Sequence, residues 1–220
     1  MKRIFLITSF LFIGHCLFAQ KINIGLQGGI NMASINANAP QNFDGGSQAH
    51  ATFQFGVTVD YLFQTFNVQS GVLLTGKGNT STTVQNLISN GSPVPYYQTN
   101  STNVSYIEVP VNLLYKHSLR AGTLYFGAGP YVAYALWGSY SSKIDMNEYY
   151  KRASSTSISF GNGTDQLRSF DYGVNVVANF VMNNRLKLGL NYGLGLNNVS
   201  NSGLTSQNRV ASLVIGYNFK

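Results

Sequence analysis

From Ile22 onward, apolar and polar residues alternate with a period of two, the spacing at which successive side chains of a strand leave opposite faces. Ile22, Ile24, Leu26, Ile30 and Met32 share one face, with Asn23, Gln27 and Asn31 on the other. The pattern recurs over residues 53–63, 67–77, 105–116, 123–138, 170–180, 186–196 and 212–219, which predicts eight strands. The stretch 123–138 is the least clean. Leu124, Phe126, Val132, Tyr134 and Leu136 make an apolar face, yet Tyr125, Tyr131 and Trp137 make the opposite face bulky as well. No helical pattern of comparable length follows residue 20.

The connections alternate in length. Residues 36–50, 78–104, 139–169 and 197–208 read as long loops rich in Asn, Ser and Gly, whereas 64–66, 117–122 and 182–184 read as short turns. In an up-and-down antiparallel sheet, alternate connections lie at opposite ends, so all long loops gather at one end. An even strand number with this asymmetry predicts an all-β, eight-stranded antiparallel up-and-down transmembrane β-barrel. Parity also predicts Val181 opposite Arg185, closing on a three-residue loop Met182-Asn183-Asn184 in which an Asn takes a positive φ.

Periodicity cannot say which face is inside, so a soluble lipocalin-like ligand carrier is the structural alternative. Composition separates the two. Only 10% of the residues are charged, against about 25–35% on a soluble surface. The apolar faces carry Phe53, Tyr61, Phe63, Tyr115, Phe170, Phe180, Tyr217 and Phe219, which suit aromatic girdles at the two membrane interfaces. The apolar side therefore faces lipid, and outer-membrane lipid becomes the first expected partner.

Several segments carry a family resemblance. Tyr106-Ile107-Glu108-Val109-Pro110-Val111-Asn112-Leu113-Leu114, Gly127-Ala128-Gly129-Pro130-Tyr131-Val132, Phe170-Asp171-Tyr172-Gly173, Leu190-Asn191-Tyr192-Gly193-Leu194-Gly195-Leu196 and Gly216-Tyr217-Asn218-Phe219 resemble the PorT-like outer-membrane β-barrel family over the whole mature chain. The resemblance implies a barrel in the outer membrane of a Gram-negative bacterium, both termini in the periplasm. It also implies the barrel-assembly machinery as a partner, with Phe219 as the terminal assembly signal ahead of Lys220. Family motifs of this kind specify fold and location and leave chemistry open.

Residues 1–19 read as a secretion signal peptide: Lys2 and Arg3, an apolar run to Leu17, then Leu17-Phe18-Ala19. Residues 20–220 then form the barrel domain. Cys16 has His15 before it, where lipid attachment wants a small residue. Removing the signal takes away the sole cysteine, so no disulfide is expected. The formal charge of +7 is scattered, with no basic cluster interleaved with aromatics, so no nucleic-acid partner is expected.

Catalytic, metal and cofactor candidates are sparse. His50 and His117 share no metal-ligand spacing, and the glycine-rich stretches 25–29 and 71–78 open no helix that could cradle a phosphate. His117-Ser118 is the nearest approach to a lipid-hydrolase pair, and a barrel enzyme acting on lipid stays as the alternative function. No catalytic residue, metal or cofactor is assigned. Pro110 and Pro130 lie inside strands and predict one shared bulge. Inward-facing charges sort by strand direction into two structural clusters: Lys77 with Glu108 and Asp171 toward the long-loop end, and Asp60 with Lys116 and Lys187 toward the short-turn end. The leading reading is a non-enzymatic barrel. Its long extracellular loops bind or display something, or it serves envelope assembly or protein secretion through an extracellular or periplasmic protein partner.

Overall fold

The computed structural model describes residues 21–37, 47–89, 92–146, 151–201 and 205–219. The expected signal, residues 1–19, and Lys220 lie outside them. Ten strands occur in order: β1 (Lys21–Ala37), β2 (Ser47–Gln48), β3 (His50–Leu62), β4 (Phe66–Ser89), β5 (Ser92–Leu119), β6 (Gly122–Asp145), β7 (Lys151–Ser157), β8 (Phe170–Met182), β9 (Leu186–Gly195) and β10 (Ser206–Asn218). Eight of them close a ring in the order β1-β3-β4-β5-β6-β8-β9-β10, every pairing antiparallel. Closure leaves no sheet edge in the apolar band, where an unpaired backbone group would cost several kcal/mol.

The two faces fall as the alternation dictates. Ile24, Leu26, Ile30 and Met32 are exposed on the outside, while Gln27 and Asn31 are buried in the lumen. Aromatic pairs mark both rims of the apolar band. Phe63 stacks on Phe66 at 4.3 Å, and Tyr115 with Phe126 and Tyr217 with Phe219 stand near the short turns. Tyr134 meets Phe170 edge-on at 5.1 Å toward the other end.

Strand lengths depart from the sequence reading. A membrane-crossing strand needs about 9–11 residues, yet β4, β5 and β6 run to 24, 28 and 24. Residues 78–104, expected as a loop, are mostly a continuing hairpin in which Gly78 pairs with Asn103 and Ser89 with Ser92. The expected loop 139–169 likewise begins as strand, with β6 reaching Asp145 and β7 adding a fifth strand to its edge. Beyond the bilayer neither face has to be apolar, so period-two contrast disappears while the ladder continues. The result is a polar sheet, β2-β4-β5-β6-β7, standing above one side of the barrel.

Two local expectations are corrected. Val181 pairs with Lys187, not Arg185, and the positive φ of 70° falls on Arg185. Arg185 N–H donates to Met182 O at 2.9 Å, so the hairpin is a tight turn followed by a left-handed residue. A non-glycine side chain there costs roughly 1–2 kcal/mol. The strand bulge also lies elsewhere. Pro110 is opposite Tyr131 and Pro130 opposite Val174, and the β5–β6 register is the same before and after them. Ladder pairing lapses beside the prolines without a shift, and Ser70 Oγ donates to the Pro110 carbonyl at 2.9 Å. The register shifts instead between Ser105 and Tyr106, leaving Leu136 as the extra residue. Leu136 and Trp137 consequently both face outward, 43% and 56% exposed. The indole, expected inward, thus lies outside, and the rings buried in the neighbouring cluster are Tyr106 and Tyr131.

A closed hydrogen-bonded ring resists detergent until it is heated. The purified protein should migrate differently on a detergent gel before and after boiling, and identical mobility would contradict the ring.

Candidate functional site

The lumen gathers the charges that the sheet turns inward. Glu108 on β5 and Asp171 on β8 both stand opposite Ala133 of β6, so a small side chain separates two carboxylates at one height. Lys77 arrives from β4. Its Nζ lies 2.7 Å from Glu108 Oε2 and 3.0 Å from Asp171 Oδ2, and all three side chains are buried. The ammonium also sits 4.1 Å from the Tyr131 ring centroid and 5.4 Å from that of Tyr106, distances at which a desolvated cation gains from the ring faces. Asp171 Oδ2 further accepts from Asn208 Nδ2 at 3.0 Å and from the Tyr131 hydroxyl at 3.3 Å, while Asn175 Nδ2 donates to Glu108 at 3.4 Å. One cation holds two carboxylates, and neutral donors disperse the remaining negative charge. Tyr131 reaches this point because it lies across the bare backbone of Gly173, where an added Cβ would stand 2.8 Å from its ring.

The expected lower cluster does not form. Among the described residues no ion pair joins Asp60, Lys116 and Lys187. Asp60 Oδ1 accepts from Asn67 Nδ2 and Gln69 Nε2, each at 2.8 Å, and Lys187 Nζ donates to Gln27 Oε1 at 2.7 Å. Local amides on the neighbouring strand satisfy Asp60 before a lysine from across the barrel reaches it. Asp60 and Lys187 nevertheless line one cavity of about 40 Å³. Lys116 stands opposite Tyr125, half-buried.

A second cavity, also of about 40 Å³, lies under the Lys77 knot, and Gln69 lines both. At about 10–15 Å³ of such volume per molecule, each has room for about three or four waters. Gln54 Nε2, Thr58 Oγ1, Asn112 Oδ1 and Asn191 Oδ1 find no partner among the described groups and belong to residues lining the upper cavity. These are short polar chambers rather than a pore.

Above the knot, the lumen is plugged. Val104, Tyr106, Tyr131, Ala133 and Ala135 form a buried apolar cluster, against which Ile158, Phe160 and Leu167 pack from the loop that follows β7. Asn201, on the β9–β10 connection, pins that loop. Its Nδ2 donates toward the carbonyls of Gly161, Gly163 and Gln166 at 2.8–3.1 Å, and its Oδ1 accepts from Arg168 Nε at 2.9 Å. Sequence reasoning missed this plug because three apolar residues dispersed in a polar stretch have no period.

The remaining candidates do not converge on chemistry. His117 and Ser118 are neighbours in the β5–β6 hairpin, opposite Leu124 and Thr123, and adjacent strand residues point to opposite faces. His50 Nδ1 is 3.0 Å from Thr80 Oγ1. Among the described residues, no three His, Cys, Asp or Glu side chains gather to hold a metal ion. Phe219 closes the ring at the short-turn end, its N–H donating to Ile24 O at 2.6 Å, with its ring outward.

A closed ring with an apolar exterior and a polar lumen is the architecture of outer-membrane barrels, and the model for the outer membrane protein beta-barrel domain matches residues 18–201. The chain belongs to that family. Its apolar band therefore lies in the outer membrane, and a soluble carrier is excluded. No curated protein matches the sequence. Similar solved barrels include Ail, the attachment invasion locus protein of Yersinia pestis, at 12% identity and a TM-score of 0.37, covering 90% of this chain and 98% of that one. Neisserial surface protein A is 10% identical with a TM-score of 0.38, covering 89% and 97%. The outer membrane protease OmpT from Escherichia coli is 10% identical with a TM-score of 0.31, covering 90% and 97%.

Removing Lys77 would leave two buried carboxylates facing each other. Lys77→Met should cost about 3–5 kcal/mol in urea unfolding of the lipid-reconstituted barrel. Adding Glu108→Gln to it should cost less than the sum of the two single losses, whereas additive losses would show that the pair is not coupled.

Proposed function

We propose that this outer-membrane β-barrel is a non-enzymatic anchor that is closed to solutes and carries a recognition platform on the cell exterior. The observation that supports this reading is the pairing of a sealed lumen with three strands that outrun the bilayer. The knot at Lys77 and the plug of Ile158, Phe160 and Leu167 close the interior, while β4, β5 and β6 continue as an ordered sheet. An open solute channel is incompatible with the sealed lumen. A binding platform uses both seal and sheet, because the rigid barrel fixes the sheet against the membrane.

In this reading the long-loop end is extracellular, and both termini, at the short-turn end, are periplasmic. Lipid hydrolysis finds little support, since His117 and Ser118 diverge and stand at the end away from the outer leaflet. A component of envelope assembly or protein secretion is the second reading, favoured by the PorT-like motifs. It would have to engage a periplasmic partner through turns as short as Arg120–Ala121.

Protease shaving of intact cells tests the arrangement. Trypsin should cut at Lys151 or Arg152, which are exposed on the edge strand β7, and leave Arg120 and Arg185 intact. Cleavage at Arg120 or Arg185 with β7 protected would invert the topology and remove the platform from the outside.

A further inference from the structure

The sheet above the membrane forms an open chamber of about 680 Å³ with the plug loop and the β9–β10 connection. Its volume lies within the roughly 300–1,000 Å³ of small-molecule sites. The register explains one wall. Asn79 pairs with Thr102, Thr102 with Tyr140, and Tyr140 with Thr156, so four strands set these side chains in one horizontal row on the lumen side. Asp165 also lines the chamber, together with the aliphatic Ile158 and Leu167 of the plug.

We infer that this chamber is a binding site for a neutral carbohydrate, an inference that rests on the platform reading above and gives it a ligand class. Three properties lead there. The hydroxyls of Thr102, Thr156, Ser157 and Ser159 each donate and accept, which matches a ligand presenting hydroxyls on every side. Tyr140, 42% exposed in the middle of the row, offers a flat ring to the apolar C–H face of a sugar, while its neighbours Thr102 and Thr156 meet the polar edge. Asp165 accepts only, so its two oxygens suit a pair of adjacent sugar hydroxyls through charge-assisted hydrogen bonds. Asp165 is also the single charged residue among the described lining, which repels sulfated, phosphorylated or carboxylated ligands.

The site is built before the ligand arrives. Asn201 ties down the backbone at Gly161, Gly163 and Gln166, and Gly163 N–H donates to Gln166 Oε1 at 3.0 Å, on either side of Asp165. Binding therefore orders little, which favours affinity. The same chemistry occurs on glycans of another cell and on the neutral sugars of the bacterium's own surface polysaccharide.

The test is calorimetric titration of the full barrel in lipid nanodiscs with neutral oligosaccharides of two to six hexoses, with sulfated forms of the same sugars alongside. Neutral sugars should bind and sulfated ones should not. Tyr140→Ala and Asp165→Asn should each weaken binding by about tenfold, a difference of about 1.4 kcal/mol. Both variants should keep the wild-type gel shift on boiling, which separates lost binding from lost folding. A second arm compares glycan-coated beads with polysaccharide extracted from the bacterium, and binding to one alone identifies the source. Absence of neutral-sugar binding, or binding unchanged in both variants, overturns the inference, while the protease result judges the platform reading independently.

Discussion

Hydrocarbon offers no hydrogen bonds, and that constraint shapes every level of this protein. Each backbone N–H and C=O in the apolar band needs a partner, which a sheet can provide only by closing on itself. Closure with eight strands fixes a narrow interior that side chains fill. Strand alternation then sends half of those side chains inward, where polar residues must satisfy one another without bulk water. The knot of Lys77, Glu108 and Asp171, the amides around Asp60 and the Lys187–Gln27 bond all answer the same demand.

The constraint also explains what could be read from the sequence. Inside the bilayer one face must be apolar and the other polar, so period-two contrast is strong and the inward or outward sense of residues such as Asn31 and Ile30 is legible. Lys77, Glu108 and Asp171 could be sorted to one height from strand direction and face alone, and the structure places both carboxylates within 3.0 Å of the Lys77 ammonium. Outside the bilayer the contrast vanishes. The row Asn79, Thr102, Tyr140 and Thr156 crosses four strands whose other faces are also polar there, and nothing in their spacing distinguishes hairpin from loop. Trp137 departs from its expected face for a related reason: a bulge at Leu136 changes parity, and period-two alternation carries no sign of it. The lower charges show a third limit, because parity assigns a face and a height but cannot tell a lysine partner from a nearby amide.

Sealing and projection are complementary. The apolar plug rests on the same Tyr106 and Tyr131 rings that shield the Lys77 ammonium, so the lid over the barrel and the charge knot beneath it share a wall. The loop that supplies the plug also supplies Asp165 to the chamber above it. The knot and the outer chamber are thus joined by a short, packed path, while Lys77 and Glu108 also line the cavity beneath them.

The central claim is that the lumen is closed, and electrical recording across a planar bilayer tests it most directly. The reconstituted wild-type barrel should show no sustained conductance steps, because the knot and the plug occupy the path in series. Stable open-channel steps in the wild-type protein would contradict the account, since they would require a continuous aqueous path past Lys77 and Leu167.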